Sequence, residues 1–377
     1  MKTRDIDIPL SRPDITDLEI EQVTAVLRTP QLSLGPKLPE FERIIAEYVG
    51  VKHAVAVNSG TSALHLIIRA LEIGEDDEVI TTPFSFIASA NCLLFEKARP
   101  VFVDIDPLTL NLNSALIKEK MSDRTRAILA VDAFGLPADY DKLEQLAAQS
   151  NLKLIEDSCE ALGAEYKGRK AGSFGAAGAF GFYPNKQITT GEGGVVVTDN
   201  KGLADLCGSM RNQGRGKKGE WLEHQRLGYN FRLSEINCAL GIAQMQRIKE
   251  MLQKRALVAG LYNQKLADWP EASIPCTIPG IKRSWFVYVI VLRNGYDSKQ
   301  RDMIIRDMLS RGIHCGRYFT PIHLQPFYVK MFGYKKGDFP VTESIAERTI
   351  ALPFYNNLSE REIDLVVSNL KETVAAL

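Results

Sequence analysis

Lys186 lies in FGFYPNKQITTGEGG (Phe180–Gly194), between an aromatic-rich run and a glycine-rich turn. A primary amine in such a setting can attack a carbonyl and hold it as an imine. SGTSAL (Ser59–Leu64) reads as the end of a strand, a tight glycine turn and the start of a helix. That arrangement aims backbone N–H groups and the positive end of the helix at an anion such as phosphate. In IEDSCEA (Ile155–Ala161), Asp157 sits just past an apolar strand. Ligands of parallel α/β sheets bind at that edge. Each feature also has a plainer reading. Ser59–Leu64 could be an ordinary helix cap, Asp157 another, and Lys186 a solvated surface charge.

The three together, in this order in an α/β domain, are the parts that pyridoxal phosphate (PLP) requires. The phosphate is anchored, the pyridine nitrogen is kept protonated by an acid, and the aldehyde is held by an amine. The chain resembles the DegT/DnrJ/EryC1/StrS family of sugar aminotransferases. LSLGPKLPEFE (Leu32–Glu42), NKQITTGEGG, GYNFRLSEINCALG and RYFTPIH (Arg317–His323) carry the resemblance over nearly the whole length.

The resemblance implies the aspartate-aminotransferase (type I) fold, with Lys186 carrying PLP as a Schiff base and moving a proton between Cα and C4′. It implies that Asp157 pairs with the pyridine nitrogen and that Phe86, in TPFSFIASAN, stacks on the ring. Thr61 and Ser62 match the phosphate turn. Asn230 matches an asparagine that reaches the phosphate from a partner subunit, which implies a homodimer with shared active sites. Two positions depart from the commonest pattern. Gly181 stands where many relatives have a phosphate-binding serine. Glu160 stands where others have His or Gln near the cofactor's 3′-oxygen. Glutamate there resembles perosamine-synthase-type members, which aminate C4 of a nucleotide-linked 4-keto-6-deoxyhexose. A carboxylate beside a phenolate oxygen predicts a raised pKa or a different contact for Glu160.

The expected reaction is therefore amino transfer, from glutamate by family analogy, to a nucleotide-linked keto-sugar in aminosugar or polysaccharide biosynthesis. Amination of a 3-keto-sugar or keto-cyclitol is the main alternative. PLP-dependent sugar dehydratases carry His at the lysine position, and loss of chemistry in a regulatory relative should erode Lys186 or Asp157; both residues are present. The basic segment MRNQGRGKKGEW supplies Arg211, Arg215, Lys217 and Lys218 as candidates for a nucleotide diphosphate. His323 matches a family histidine near the sugar.

A doubly alternating pattern positions these residues. Helices are expected at Thr16–Leu27, Leu38–Tyr48, Thr61–Leu71 and Tyr140–Ser150. Strands are expected at His53–Val57, Glu78–Thr82, Pro100–Val103, Ala127–Val131, Leu152–Glu156 and Val195–Thr198. That rhythm predicts an α/β domain with a mainly parallel sheet, over residues 1–250. A long helix from Ser234 continues past Arg247 towards Leu266. A smaller α+β domain, 251–377, follows, with a strand at Phe286–Leu292 and helices at Ser298–Ser310 and Ser359–Ala376.

Composition narrows the class further. The 377 residues hold 46 Lys+Arg against 46 Asp+Glu, so nothing in the balance favours a nucleic-acid or membrane partner. The six cysteines form no C-x-x-C pair and show no zinc spacing, so no metal is expected. With no signal peptide and no apolar run long enough to span a bilayer, a cytoplasmic location is expected. Gly214, Gly216 and Gly219 match G-x-G-x-x-G, but no strand precedes them, and the dinucleotide fingerprint fails in that context.

Overall fold

The computed structural model describes residues 7–216 and 223–377. Its centre is a seven-stranded sheet of β1 (His53–Val57), β2 (Glu78–Thr81), β3 (Arg99–Phe102), β4 (Thr125–Val131), β5 (Lys153–Asp157), β6 (Ala177–Gly181) and β7 (Gly194–Thr198). The spatial order is β1-β7-β6-β5-β4-β2-β3. Only β7 runs antiparallel to its neighbours; all other pairs are parallel. The interior strands are apolar on both faces because helices cover both sides.

Local chemistry sets the helix ends. In α1 (Asp17–Leu27), Glu19 reaches back to accept the Thr16 N–H at 2.7 Å. α2 (Lys37–Val49) stops at Gly50, which takes the left-handed conformation at φ 87°. α3 (Gly60–Ala70) is capped by Ser59 Oγ, which accepts the Ser62 N–H at 3.1 Å. α4 (Ala88–Leu94) and α5 (Tyr140–Gln149) follow β2 and β4, and α6 (Lys201–Arg211) follows β7.

The long helix expected after Ser234 is two helices, α7 (Glu235–Gln246) and α8 (Ile248–Leu266). Arg247 breaks them with φ −103° and ψ 2°. Its guanidinium reaches Glu19 at 2.9 Å and Asp14 at 3.1 Å, and so ties the break to the N-terminal segment.

α8 joins two cores. Its first turns (Ile248, Met251) pack with Phe41, Phe182 and Ile242 of the sheet domain. Its later turns (Val258, Tyr262, Leu266) pack with the C-terminal core. That core surrounds an antiparallel sheet of β8 (Ala272–Ser273), β9 (Tyr288–Leu292) and β10 (Thr349–Leu352). It is flanked by α9 (Ser298–Ser310), α11 (Pro340–Arg348) and α12 (Glu360–Ala375), whereas α10 (Pro326–Phe332) packs through Tyr328 on Ala90 and Phe102 of the sheet domain. Ile8 is also buried there and pairs with Ile313, so the N-terminal segment packs on the C-terminal body. Among the described residues, no helix is long and apolar enough to cross a membrane.

Candidate active site

A cavity of about 540 Å³ opens at the carboxyl ends of β1, β2, β5 and β6. The sheet domain supplies Gly60, Thr61, Phe86, Asp157, Glu160 and Lys186 to its lining, and the C-terminal half supplies Phe286, Tyr318 and Phe319. The volume lies within the range usual for small-molecule sites.

Lys186 follows β6 in a loop and is largely buried, its side chain 15% exposed. Nζ stands 3.6 Å from Glu160 Oε1 and 3.9 Å from the centre of the Phe286 ring. Glu160 Oε2 accepts the Phe134 N–H at 2.9 Å. Burial pushes the Glu160 carboxyl above its ordinary value, and the Lys186 ammonium partly offsets this.

Asp157 is the last residue of β5. Its Oδ2 accepts from Ser89 Oγ at 2.6 Å, and its Oδ1 accepts the Cys159 N–H at 3.2 Å. Behind it, the fully buried Asp132 accepts from Ser158 Oγ (2.7 Å), Tyr140 OH (2.7 Å) and the Ala138 N–H (2.9 Å). Burial pushes Asp132 up to about 6, and those hydrogen bonds act against the rise.

The first turn of α3 meets the cavity through Gly60 and Thr61. Those N–H groups lack intrahelical partners by construction. Two glycines make the approach possible. A Cβ on Gly60 would stand 2.8 Å from Cys159 Sγ, and one on Gly194 would stand 2.4 Å from the Ser59 carbonyl. Gly181 differs, because a Cβ there would meet Cys159 only at 3.6 Å, an ordinary contact. Ser62 lies beside Thr61, but its hydroxyl donates to Asn58 Oδ1 at 2.7 Å and it does not line the cavity. Phe86 does, with 62% of its surface exposed.

The remaining sequence candidates lie elsewhere. Arg211 was expected at the substrate. Instead it pairs with Glu42 and donates to the Ala56 carbonyl at 2.6 Å, tying α6 to α2 and β1. Arg215 sits in a backbone bridge with His224, outside the cavity lining. Lys217 and Lys218 lie outside the described residues. His323 was also expected at the substrate. It is fully buried, with Nε2 3.0 Å from Glu343 Oε1 and its ring 4.7 Å from that of Phe339. Its side chain has no solvent access in this chain and does not line the cavity. Asn230 is exposed and does not line this chain's own cavity.

Sequence reasoning missed Ser89, Cys159, Asn185, Phe286 and Tyr318. Ser89 had a usable signal, since it lies three residues beyond Phe86 at helical spacing. Tyr318 had none. Burial, with Glu160 nearby, pushes its phenol up to about 12, so it stays protonated at neutral pH.

A model of the DegT/DnrJ/EryC1/StrS aminotransferase family matches residues 13–371. GDP-perosamine synthase of Caulobacter vibrioides is 36% identical over 370 residues, covering 97% of this chain and 98% of that protein. Among solved structures, Helicobacter pylori PseC is an aminotransferase involved in the biosynthesis of pseudoaminic acid. It matches with a TM-score of 0.94 at 31% identity, over 98% of this chain and 100% of its own. Streptococcus pneumoniae Spr1654, named as a sugar aminotransferase and solved in a PLP form, matches with a TM-score of 0.94 at 28% identity, over 98% and 99%.

Proposed function

The chain belongs to the DegT/DnrJ/EryC1/StrS aminotransferase family, and from that premise we propose that it moves an amino group from glutamate to C4 of a nucleotide-linked 4-keto-6-deoxyhexose. As a member it is a PLP-dependent sugar aminotransferase. The donor, the position aminated and the residue roles are our reading. One observation carries it: a single cavity lined by one amine, Lys186, has two largely buried carboxylates, Asp157 and Glu160, in the same wall.

These residues fit the cofactor. PLP supplies an aldehyde that condenses with amines and a ring that withdraws electrons when its nitrogen is protonated. Asp157 would hold that proton, and Ser89 and the Cys159 N–H fix the orientation of its carboxylate. The start of α3 would take the phosphate through Gly60 and Thr61, and Phe86 would cover the ring. Lys186 Nζ is the group placed to lift a proton from one carbon and return it to another. Glu160 Oε1, 3.6 Å away, stabilises Nζ each time it becomes an ammonium. Phe86, Phe286 and Phe319 make much of the lining apolar, which limits water around the reacting amine. Glu160 supports the C4 assignment through the resemblance to perosamine-synthase-type members, and the 36%-identical relative named GDP-perosamine synthase is in keeping with that resemblance. Six free cysteines suit a reducing, cytoplasmic setting.

The test is a half-reaction. Protein loaded with pyridoxamine phosphate is offered nucleotide-linked 3-keto and 4-keto sugars, and products are weighed by mass spectrometry. The expected result is an amino-sugar mass from the 4-keto series. Preference for the 3-keto series overturns the C4 assignment. Lys186→Ala should retain PLP without turnover, and turnover by that variant without added amine overturns the assignment of the lysine.

A further inference from the structure

Arg255 is a guanidinium in an unusual place. It projects from α8 and is 3% exposed. Among the described residues, no carboxylate pairs with it. Its partners are backbone carbonyls from two segments that line the cavity. Nη2 donates to the Lys186 carbonyl at 2.8 Å and approaches that of Asn185 at 3.5 Å. Nη1 donates to the Phe286 carbonyl at 3.1 Å and approaches that of Trp285 at 3.4 Å. Phe286 is the residue whose ring faces Lys186 Nζ at 3.9 Å. On the C-terminal side, the guanidinium carbon lies 5.6 Å from the centre of the Phe354 ring.

Burying a cation without an anion is costly, and the burial draws the Arg255 pKa down to about 10. Packing alone would be served as well by a leucine or methionine on α8. What an apolar residue could not do is satisfy carbonyls from both segments at once. A planar fork can, because its donors diverge at fixed angles. Gln187, the next residue after Lys186, repeats the connection. Its Nε2 donates to the Glu160 carbonyl at 2.6 Å and to Ser284 Oγ at 3.0 Å.

We propose that Arg255 is a positioning residue for amino transfer, clasping the Lys186 segment to the Phe286 segment so that Nζ is held in register with the cavity. The inference rests on reading Lys186 as the reacting amine. Arg255 touches neither substrate nor cofactor and acts through the main chain of its two partners.

The test compares Arg255→Met, Arg255→Lys and Lys186→Ala with the parent. Far-ultraviolet dichroism and melting first establish that each is folded. Cofactor-free protein is then acetylated briefly, and peptide mass spectrometry reads labelling of Lys186 against exposed Lys153 as an internal standard. Loaded enzyme is assayed for kcat and for KM towards the amino donor. For Arg255→Met, the expected result is a several-fold change in Lys186 labelling. Its kcat should fall roughly 10²-fold, the usual cost of misplacing a reacting group by about 1 Å, with KM little changed. Arg255→Lys keeps the charge but not the fork, and should fall between. Labelling and kcat within about twofold of the parent in folded Arg255→Met overturn the proposal. If that variant does not fold, Arg255→Lys decides: reduced kcat at parental melting temperature supports the proposal, and parental kcat overturns it. Turnover by Lys186→Ala instead overturns the reading of Lys186, and the labelling comparison still reports whether Arg255 holds the segment.

Discussion

Glu160 and Lys186 face each other at 3.6 Å, in a wall where burial disfavours the carboxylate charge. Because the Glu160 pKa is raised, its charge is lost at a higher pH than the 4.5 of an ordinary glutamate as the solution is acidified. If amino transfer uses the ionised form, kcat/KM should fall on the acid side along a limb lying above pH 4.5, and Glu160→Gln should remove that limb while lowering the plateau. A pH–rate profile of both proteins checks this, and an unchanged limb in the variant assigns the titration to another group. The stability sign runs the other way. The unfolded carboxyl ionises more readily than the folded one, so Glu160 opposes folding increasingly as pH rises through that window. Gly181 allows a second prediction. Its backbone does not require glycine, and a Cβ there would meet only ordinary contacts. Gly181→Ser should therefore fold and, if its hydroxyl meets the phosphate, tighten PLP binding by about 10-fold, the scale of one hydrogen bond to a charged group. Titration of cofactor-free protein measures it, and an unchanged Kd would place the phosphate out of reach of residue 181.

The elements differ in how legible they were, and the differences have causes. His53–Val57 and Ser298–Ser310 have the bounds the sequence predicts, and both are short-range features: a compact apolar run in one, and a helix whose start the structure shows capped by Asp297 in the other. β6 was not read as a strand. AGAFG has poor intrinsic strand propensity, and its small residues are there so that the chain can pack closely: a Cβ on Gly178 would stand 2.8 Å from Gly172 Cα. The break at Arg247 was invisible for a similar reason, since its partners Asp14 and Glu19 are over 200 residues away in sequence. The site divides along the same line. Lys186, Asp157, Thr61 and Phe86 sit in local motifs and line one cavity, whereas Arg211 is held by Glu42, far away in sequence, and His323 by Glu343, in the next helix but one. The junction of α3 with β7 is where an element can be tested. A Cβ on Gly194 would come within 2.4 Å of the Ser59 carbonyl, and the obstacle is backbone that cannot rotate away. Gly194→Ala should cost about 1–3 kcal/mol, the range for overpacking, and lower the melting temperature by several degrees. It should also weaken PLP binding, because relief of the clash displaces the turn that begins α3. Parental melting and affinity together would mean that the β1–β7 ladder yields more easily than the geometry implies.

At the scale of the whole molecule, the site draws on elements that one chain holds far apart, and Asn230 lies outside the cavity of its own chain. Its neighbours explain its outward position. The Tyr229 and Phe231 rings stack at 4.7 Å, and Tyr229 OH donates to the largely buried Glu96 at 3.1 Å. His65 at 2.7 Å and Arg69 at 2.5 Å also hold that carboxylate. With residues 229 and 231 anchored inward, alternation in an extended segment presents residue 230 on the opposite side. If that side meets the cavity of a second copy, as the family resemblance implies, the catalytic lysine and the phosphate-reaching asparagine of one site come from different chains. Complementation tests this directly. Lys186→Ala and Asn230→Ala are each expected to be nearly silent at limiting PLP. Mixed and allowed to exchange, half the dimers should pair the two variants, and each such dimer holds one site with both residues intact and one with neither. About a quarter of parental activity should therefore return, as two-fold symmetry requires. Activity that stays at the sum of the two separate variants would mean that each site is complete within one chain, and that Asn230 serves something other than the cofactor.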